Sequence, residues 1–142
     1  MRARRRIHGV LVAFLTALAS IAVVTPTASA HYSQCGESSF CMWEHSSYEG
    51  MYYYRYGSTP YVGNDFNDKA TSAWNRLPVW VTVYEHRDYQ SSWYPNPFPG
   101  TFYHCLSIAP GASSANFLNV FNDKASSVRV NHREPQCIHY QE

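Results

Sequence analysis

Two nearly identical polar phrases are the residues of this chain best suited to chemistry. Residues 67–72 read NDKATS and residues 122–127 read NDKASS, 55 positions apart, and each phrase follows a phenylalanine. Their carboxylate, amide and hydroxyl groups place several oxygens within one turn, and a calcium ion takes about six to eight oxygen ligands. The same side chains can cap their own backbone, so each phrase also fits a structural turn without metal. The final serines, Ser72 and Ser127, suit that capping role.

Histidine and cysteine offer further candidates for chemistry. His45 and His86 occupy matched positions, but no third ligand stands at a useful spacing, so we interpret both as hairpin side chains without a metal-binding role. His104 beside Cys105 suggests a Cys–His dyad, although an exported cysteine favours a disulfide. No serine lies in a nucleophile elbow and no carboxylate pair is singled out for glycosidase chemistry. The sequence therefore predicts a protein that is not an enzyme.

Four cysteines, an even number, predict two disulfides in an exported chain. Three pairings are possible. Local spacing favours Cys35–Cys41, which leaves Cys105–Cys137 to close a loop worth about 3–4 kcal/mol of chain entropy. A zinc site is the competing interpretation, but the sequence contains no C-x-x-C pair.

The N-terminus has the pattern of an export signal. Residues 1–30 begin with four arginines, continue with an apolar run from Val10 to Val24, and end in ASA, so we expect cleavage after Ala30. The secreted chain would keep 112 of the 142 residues, with 7 basic residues against 10 acidic ones. No basic face remains for nucleic acid, and no second apolar stretch predicts a membrane span.

Repetition extends beyond the polar phrases. WEHSSYEG at residues 43–50 aligns with YEHRDYQS at residues 84–91 at an offset of 41, so the second copy carries 14 extra residues before its polar phrase. The elements between turns are short, aromatic and alternating, as in Val79, Val81 and Val83, and no long apolar stripe predicts a helix. The pattern predicts an antiparallel β-sandwich made of two similar units.

At these positions the chain resembles a known family. Trp43, Tyr48 and Gly50 are similar to the folded hairpin corner of βγ-crystallin Greek keys, and the polar phrases match the calcium motif of that superfamily. The early cysteine pair and the FNDKASSVR ending look most like secreted bacterial peptidase inhibitors of the microbial metalloproteinase-inhibitor type. The resemblance implies an all-β fold: two Greek keys, about residues 35–77 and 78–140, packed as one βγ-crystallin-like sandwich in a single domain, 31–142. One departure is Ser91, which stands where the first copy has Gly50, so the second corner is expected to turn differently.

The resemblance also implies two calcium sites, each shared between the two phrases. Each site would receive a backbone carbonyl from one phrase and a hydroxyl from the other, with weak affinity of about 10⁻⁴–10⁻³ M. The implied ligands are the carbonyls of Lys69 and Lys124, whose side chains would point away, the hydroxyls of Thr71 and Ser126, and the carboxylates of Asp68, Asp123, Glu44 and Glu85.

A secreted proteinase inhibitor acting on metalloproteinases is the leading functional hypothesis. The second copy's extra residues lie in SSWYPNPFPGTFYHC, where three prolines restrict the backbone and Phe98 and Phe102 could fill a specificity pocket. Equally, this stretch could be a long crossover with its aromatic residues packed inward. Residues 56–65 form a second exposed candidate. We expect a monomer whose partner is an extracellular protease.

Two other functions remain open at this point. A calcium-stabilised structural or stress protein without a protease target would use the same fold. A small secreted toxin would often be cationic, and the acidic balance of residues 31–142 argues against it.

Overall fold

The computed structural model describes residues 31–94 and 102–141, and these ranges are built from short β-strands. The predicted signal peptide lies outside the described residues. The strands are β1 (Phe40–His45), β2 (Glu49–Arg55), β3 (Ser72–Asn75), β4 (Val81–Tyr84), β5 (Trp93–Tyr94), β6 (Phe102–Tyr103), β7 (Cys105–Ile108), β8 (Ser113–Ser114), β9 (Ser127–Val130) and β10 (Ile138–Tyr140). Three-residue 3₁₀ turns at Tyr32–Gln34, Ser46–Tyr48 and Arg87–Tyr89 are the only helical elements in the described ranges.

Two four-stranded sheets form the body of the protein. The first sheet has the order β2–β1–β3–β8 and the second has the order β10–β7–β4–β9, while β5 and β6 form a separate two-stranded hairpin. The predicted all-β class and the two packed Greek keys are confirmed. No helix in the described part of the chain has the length and apolar character needed to cross a membrane.

The two units complete each other's sheets. Strand β8 follows β7 of the second unit in the chain, yet it pairs with β3 of the first unit through Ala73 and Ser114. In the opposite direction, Thr59 of the first unit bridges Val128 of the second, with N–O distances of 2.8 and 3.0 Å. The sheets are therefore joined by backbone hydrogen bonds as well as by packing.

The core lies between the sheets and anchors both polar phrases. Phe66 and Phe121, which precede the phrases, are 3% and 0% exposed and belong to the central apolar cluster. Phe66 stacks on Tyr53 with ring centroids 5.0 Å apart, and Phe121 packs edge-on against Phe117. Burying these rings removes large apolar areas from water, so each phrase starts from a fixed point.

One buried amide crosses from the first unit to the second. Asn75 is fully buried, and its Nδ2 lies 2.9–3.0 Å from the carbonyl oxygens of Val79, Ile108 and Ala109. Its Oδ1 accepts a hydrogen bond from the amide of Leu77 at 3.1 Å. These bonds satisfy the amide where β3 leads into the second unit.

The C-terminal strand differs from the sequence prediction. The pattern predicted an antiparallel sandwich, but β10 pairs with β7 in parallel, with Ile138 opposite Leu106. Two disulfides are present, Cys35–Cys41 and Cys105–Cys137, as local spacing favoured. The second one joins the start of β7 to the residue before β10. Residues 131–137 carry the chain from the end of β9 back to the starting end of β7, and β10 therefore runs parallel to β7.

Candidate functional site

Each unit has a sharp corner that places a glutamate beside a polar phrase. Two consecutive residues adopt the left-handed conformation in both corners: Ser47 and Tyr48 at φ 58° and 63°, and Asp88 and Tyr89 at φ 58° and 62°. This conformation costs non-glycine residues about 1–2 kcal/mol each, so other contacts must hold the corners. Gly50 follows the first corner at φ +82°, where a Cβ atom would lie 2.8 Å from the His45 ring.

The last serine of each phrase provides such a contact. The hydroxyl of Ser72 donates to the His45 carbonyl at 2.7 Å and accepts the amide of Tyr48 at 3.2 Å. In the second unit the hydroxyl of Ser127 donates to the carbonyl of His86 at 2.6 Å and accepts a hydrogen bond from the amide of Tyr89 at 3.1 Å. These serines therefore cap the corner of their unit, where the sequence had suggested capping within the phrase.

The two phrases are joined through their backbones across a near-twofold arrangement. The amide of Asp68 donates to the Ala125 carbonyl, and the amide of Asp123 donates to the Ala70 carbonyl, each at 3.1 Å. Both aspartates lie in the left-handed region, at φ 57° and 56°. Each phrase thus fixes the turn of the other.

Side chains of the two polar phrases also form hydrogen bonds from one phrase to the other. Thr71 Oγ1 donates to Asp123 Oδ1 at 3.3 Å, and Ser126 Oγ donates to Asp68 Oδ1 at 3.3 Å. Asn122 adds a bond to the other oxygen of Asp123 at 2.9 Å. The predicted ligands thus form two groups, and each group takes an aspartate from the opposite phrase.

Two open cavities correspond to these groups. We call them site A and site B. Site A, of about 320 Å³, is lined by Glu44, His45, Asp68, Lys69, Thr71 and Asp123. Site B, of about 560 Å³, is lined by Asn67, Asp68, Glu85, His86, Arg87, Asp123, Lys124 and Ser126.

Site A offers oxygen atoms, and Lys69, which also lines it, makes no ion pair with Glu44. Glu44 Oε2 accepts the amide of Met51 at 3.2 Å, and within the described ranges the Glu44 carboxylate makes no ion pair. The Thr71 hydroxyl and the Asp123 carboxylate stand beside it. The described residues hold no cluster of three or more His, Cys, Asp or Glu side chains of the kind that forms a metal centre. The carboxylate and hydroxyl oxygens at site A are of the kind that hard cations take as ligands.

Site B is organised differently, around a glutamate that already has partners. Glu85 Oε2 lies 2.9 Å from His104 Nδ1 and accepts the amide of Ser92 at 3.2 Å, while Oε1 lies 3.4 Å from Lys124 Nζ. Burial alone would raise the pKa of Glu85, but the hydrogen bonds from His104 and Ser92 outweigh it and lower that pKa to about 2. His86 Nε2 adds a contact at 3.6 Å to Oε2. This carboxylate is ionised and satisfied by protein groups.

Three sequence expectations change at site B. The prediction that both lysine side chains point away is wrong for Lys124, whose ammonium reaches Glu85. His86, interpreted as decoration, lies 2.8 Å from the Ser92 hydroxyl. His104 was considered only with its neighbouring cysteine; the sequence repeat does not mark it, because it lies between the repeated stretches 84–91 and 122–127. The second corner was expected to turn differently, but the two corners turn alike; they differ at the following position, where Ser91 has no positive φ and donates to the His104 carbonyl at 2.8 Å.

The predicted protease contacts are only partly described. Phe98 lies outside the described residues. Phe102 belongs to β6, where its backbone pairs with Tyr94. In the second candidate segment, Thr59 and Val62 are buried, whereas Tyr56 is 66% exposed beside an open groove of about 670 Å³.

Comparison with known proteins shows similarity to an inhibitor family and to solved domains of a known fold. Residues 28–95 match the model of peptidase inhibitor family I36. No curated protein matches the chain. The match supports a peptidase inhibitor built on this scaffold, and the disulfides are consistent with an extracellular location.

Solved βγ-crystallin domains share the architecture. One, from work on the evolution of the eye-lens βγ-crystallin domain fold, superimposes with a TM-score of 0.55 at 12% identity, covering 70% of this chain and 91% of its own. A βγ-crystallin from an archaeon gives 0.49 at 18% identity, covering 67% and 99%. A domain from Clostridium beijerinckii gives 0.47 at 19% identity, covering 66% and 97%. At such identities the likeness shows the fold alone, and the chain has the βγ-crystallin fold.

Proposed function

We propose that this chain, a βγ-crystallin-fold protein that matches peptidase inhibitor family I36 over residues 28–95, is secreted and inhibits a metallopeptidase. The family match is the observation that carries the proposal. The scaffold supports it, because an inhibitor must hold an extended segment in a peptidase cleft at little entropic cost. Two disulfides and the hydrogen-bonded phrases restrict this scaffold.

Two segments are candidates for contact with the peptidase. The first runs from Trp93 to Tyr103; we call it the inserted segment, and it contains Phe98 and Phe102. Its ends are paired as β5 and β6, directly before the disulfide at Cys105. The second runs from Tyr56 to Asp65 and lies wholly within the residues matched to the inhibitor family.

Titration against peptidases tests the proposal. The secreted chain, produced from the full-length gene in an exporting host, would be titrated against a thermolysin-like metallopeptidase and a subtilisin-like serine peptidase. We expect loss of metallopeptidase activity at a one-to-one ratio. Full metallopeptidase activity at large excess of the chain would refute the proposed target class, and inhibition of the serine enzyme alone would reassign it.

Matched variants locate the contact. Phe98→Ala with Phe102→Ala should weaken inhibition about thirtyfold or more if the inserted segment fills the cleft, since buried aromatic anchors carry most interface energy. Tyr56→Ala tests the second segment. Leu118→Ala is the control, because Leu118 is 53% exposed and lies in neither segment. Equal inhibition by all variants would exclude both segments.

Site A favours a second candidate function, stabilisation by calcium. Its Glu44 carboxylate, Thr71 hydroxyl and Asp123 carboxylate are the residues that would hold the ion. Calcium at ten times its dissociation constant would add about 1.4 kcal/mol to the free energy of unfolding. Thermal unfolding in calcium and in chelator measures this, and Glu44→Gln should remove the difference. Equal melting temperatures up to several millimolar calcium would refute it.

A further inference from the structure

Glu44 and Glu85 occupy matched positions in the two units but have different surroundings. Each accepts the backbone amide seven residues ahead, from Met51 and Ser92, at 3.2 Å. In the described part of the chain Glu44 makes no ion pair, whereas Glu85 lies within 3.6 Å of three side-chain nitrogens. The Glu85 side chain is only 14% exposed. The near-twofold symmetry is therefore broken at one carboxylate.

The partners of Glu85 come from two sources. Lys124 is the lysine of the second phrase, matched in the first phrase by Lys69, which makes no ion pair with Glu44. His104 directly follows the inserted segment, and by strand register the matching position of the first unit is Met51, which cannot pair with a carboxylate. Lys124 Nζ also lies 3.3 Å from His104 Nδ1, which shows how closely the two side chains converge on the carboxylate.

This arrangement does not fit a divalent cation at site B. One oxygen of Glu85 is engaged by His104 and Ser92, and the other faces the Lys124 ammonium. A calcium ion bound by Glu85 would lie next to that ammonium, and two positive charges so close repel each other. It would also have to replace charge-assisted hydrogen bonds that are already formed.

His104 connects Glu85 to the place where the inserted segment leaves and rejoins the sheet. The His104 amide donates to the Ser92 carbonyl at 3.0 Å, and the Glu85 amide donates to the His104 carbonyl at 3.2 Å. Ser91 Oγ donates to the same carbonyl at 2.8 Å. The next residue, Cys105, is held by its disulfide.

We propose that site B is closed to divalent cations, and that Glu85, Lys124 and His104 form a clamp that fixes the base of the inserted segment. The chain then binds at most one calcium ion, at site A. That stoichiometry rests on the calcium proposal for site A, whereas the clamp does not. In the second unit the Lys124 ammonium and the His104 ring thus neutralise and hold the glutamate, as a calcium ion would in the first unit.

Calcium stoichiometry tests the closure of site B. Equilibrium dialysis and calorimetric titration with calcium chloride would be applied to the secreted chain and to two matched variants, Glu44→Gln and Glu85→Gln. We expect one ion for the unmodified chain, none for Glu44→Gln and one for Glu85→Gln. No binding to the unmodified chain would refute calcium at site A and leave site B closed, as proposed. Two ions, with one lost in Glu85→Gln, would overturn the proposal.

Hydrogen exchange tests the clamp without calcium. In chelator, Glu85→Gln should speed exchange of the Ser92 and His104 amides by about tenfold or more, since a loss of about 1.4 kcal/mol is a tenfold change. Lys124→Gln should have a smaller effect in the same direction. Glu44→Gln is the matched control and should leave both amides unchanged. Unchanged exchange in Glu85→Gln would overturn the clamp.

Discussion

Replacing Glu85 by glutamine should destabilise the protein in a manner that depends on pH. The carboxyl has a folded-state pKa of about 2, against 4.5 in its unperturbed state. At about 1.4 kcal/mol per unit, this difference contributes about 3 kcal/mol at pH 7. The value is an upper bound, because the remaining solvent contact of the side chain screens its partners.

The sign follows from the direction of the shift. A pKa that is lower in the folded state makes the unfolded chain bind more protons, so the contribution is complete above pH 4.5 and is lost as pH falls toward 2. At pH 3 about 1.4 kcal/mol should remain. The gap in unfolding free energy between the unmodified chain and Glu85→Gln should therefore narrow by about half between pH 7 and pH 3.

Urea unfolding in chelator at both pH values measures this gap. Taking the difference between two variants at each pH cancels the titration of groups that they share. Glu44→Gln is the control, because its side chain keeps the capacity to accept the Met51 amide; we expect it to lose less than about 1 kcal/mol. A Glu85→Gln variant within about 0.5 kcal/mol of the unmodified chain at pH 7, or a gap that does not change with pH, would refute the reasoning.

Three further predictions concern the scaffold. Asn75→Asp should cost about 3 kcal/mol or more in urea unfolding at pH 7, because a buried carboxylate would face three carbonyl oxygens that need a donor. Gly50→Ala should cost about 2 kcal/mol, because its φ of +82° and the His45 ring 2.8 Å away both oppose a Cβ atom. Replacing Cys105 and Cys137 together by serine should cost about 3–4 kcal/mol, given their separation of 32 residues, and calorimetry would show the lower melting temperature.

Each of these predictions has a comparison that can contradict it. If the Asn75→Asp variant is as stable as the parent chain, the hydrogen bonds donated by the Asn75 amide do not contribute to stability. Ser91→Gly is the comparison for Gly50→Ala, since Ser91 has no positive φ; a larger loss at Ser91 would contradict the account of the corners. A double serine variant that melts with the parent would show that β10 docks without its disulfide.

The fold was predictable because its signals are local and repeated. The offset of 41 residues marked the two corners, and the offset of 55 residues marked the two phrases. The left-handed residues at both corners and the buried Phe66 and Phe121 follow these repeats. A repeat constrains the backbone of both copies at once, so the turns of both copies follow the repeated pattern.

The differences arise at side chains whose partners lie far away in the sequence. The repeat gave His104 no role, and only the folded chain brings it to Glu85. The direction of Lys124 depends on whether a carboxylate is in reach, which spacing alone does not report. Strand β10 is parallel because residues 131–137 return the chain to the starting end of β7, and its place in the sheet is a non-local property.

The exchange of strands between the units has a consequence for the growing chain. When β1 to β3 emerge first, one edge of β3 stays unpaired until Ser114 follows, and Thr59 stays unpaired until Val128 follows. An open edge strand pairs readily with other chains, and such non-local contacts form slowly. A gene fragment that stops between the two copies should therefore yield a half-molecule with an unpaired edge strand that aggregates.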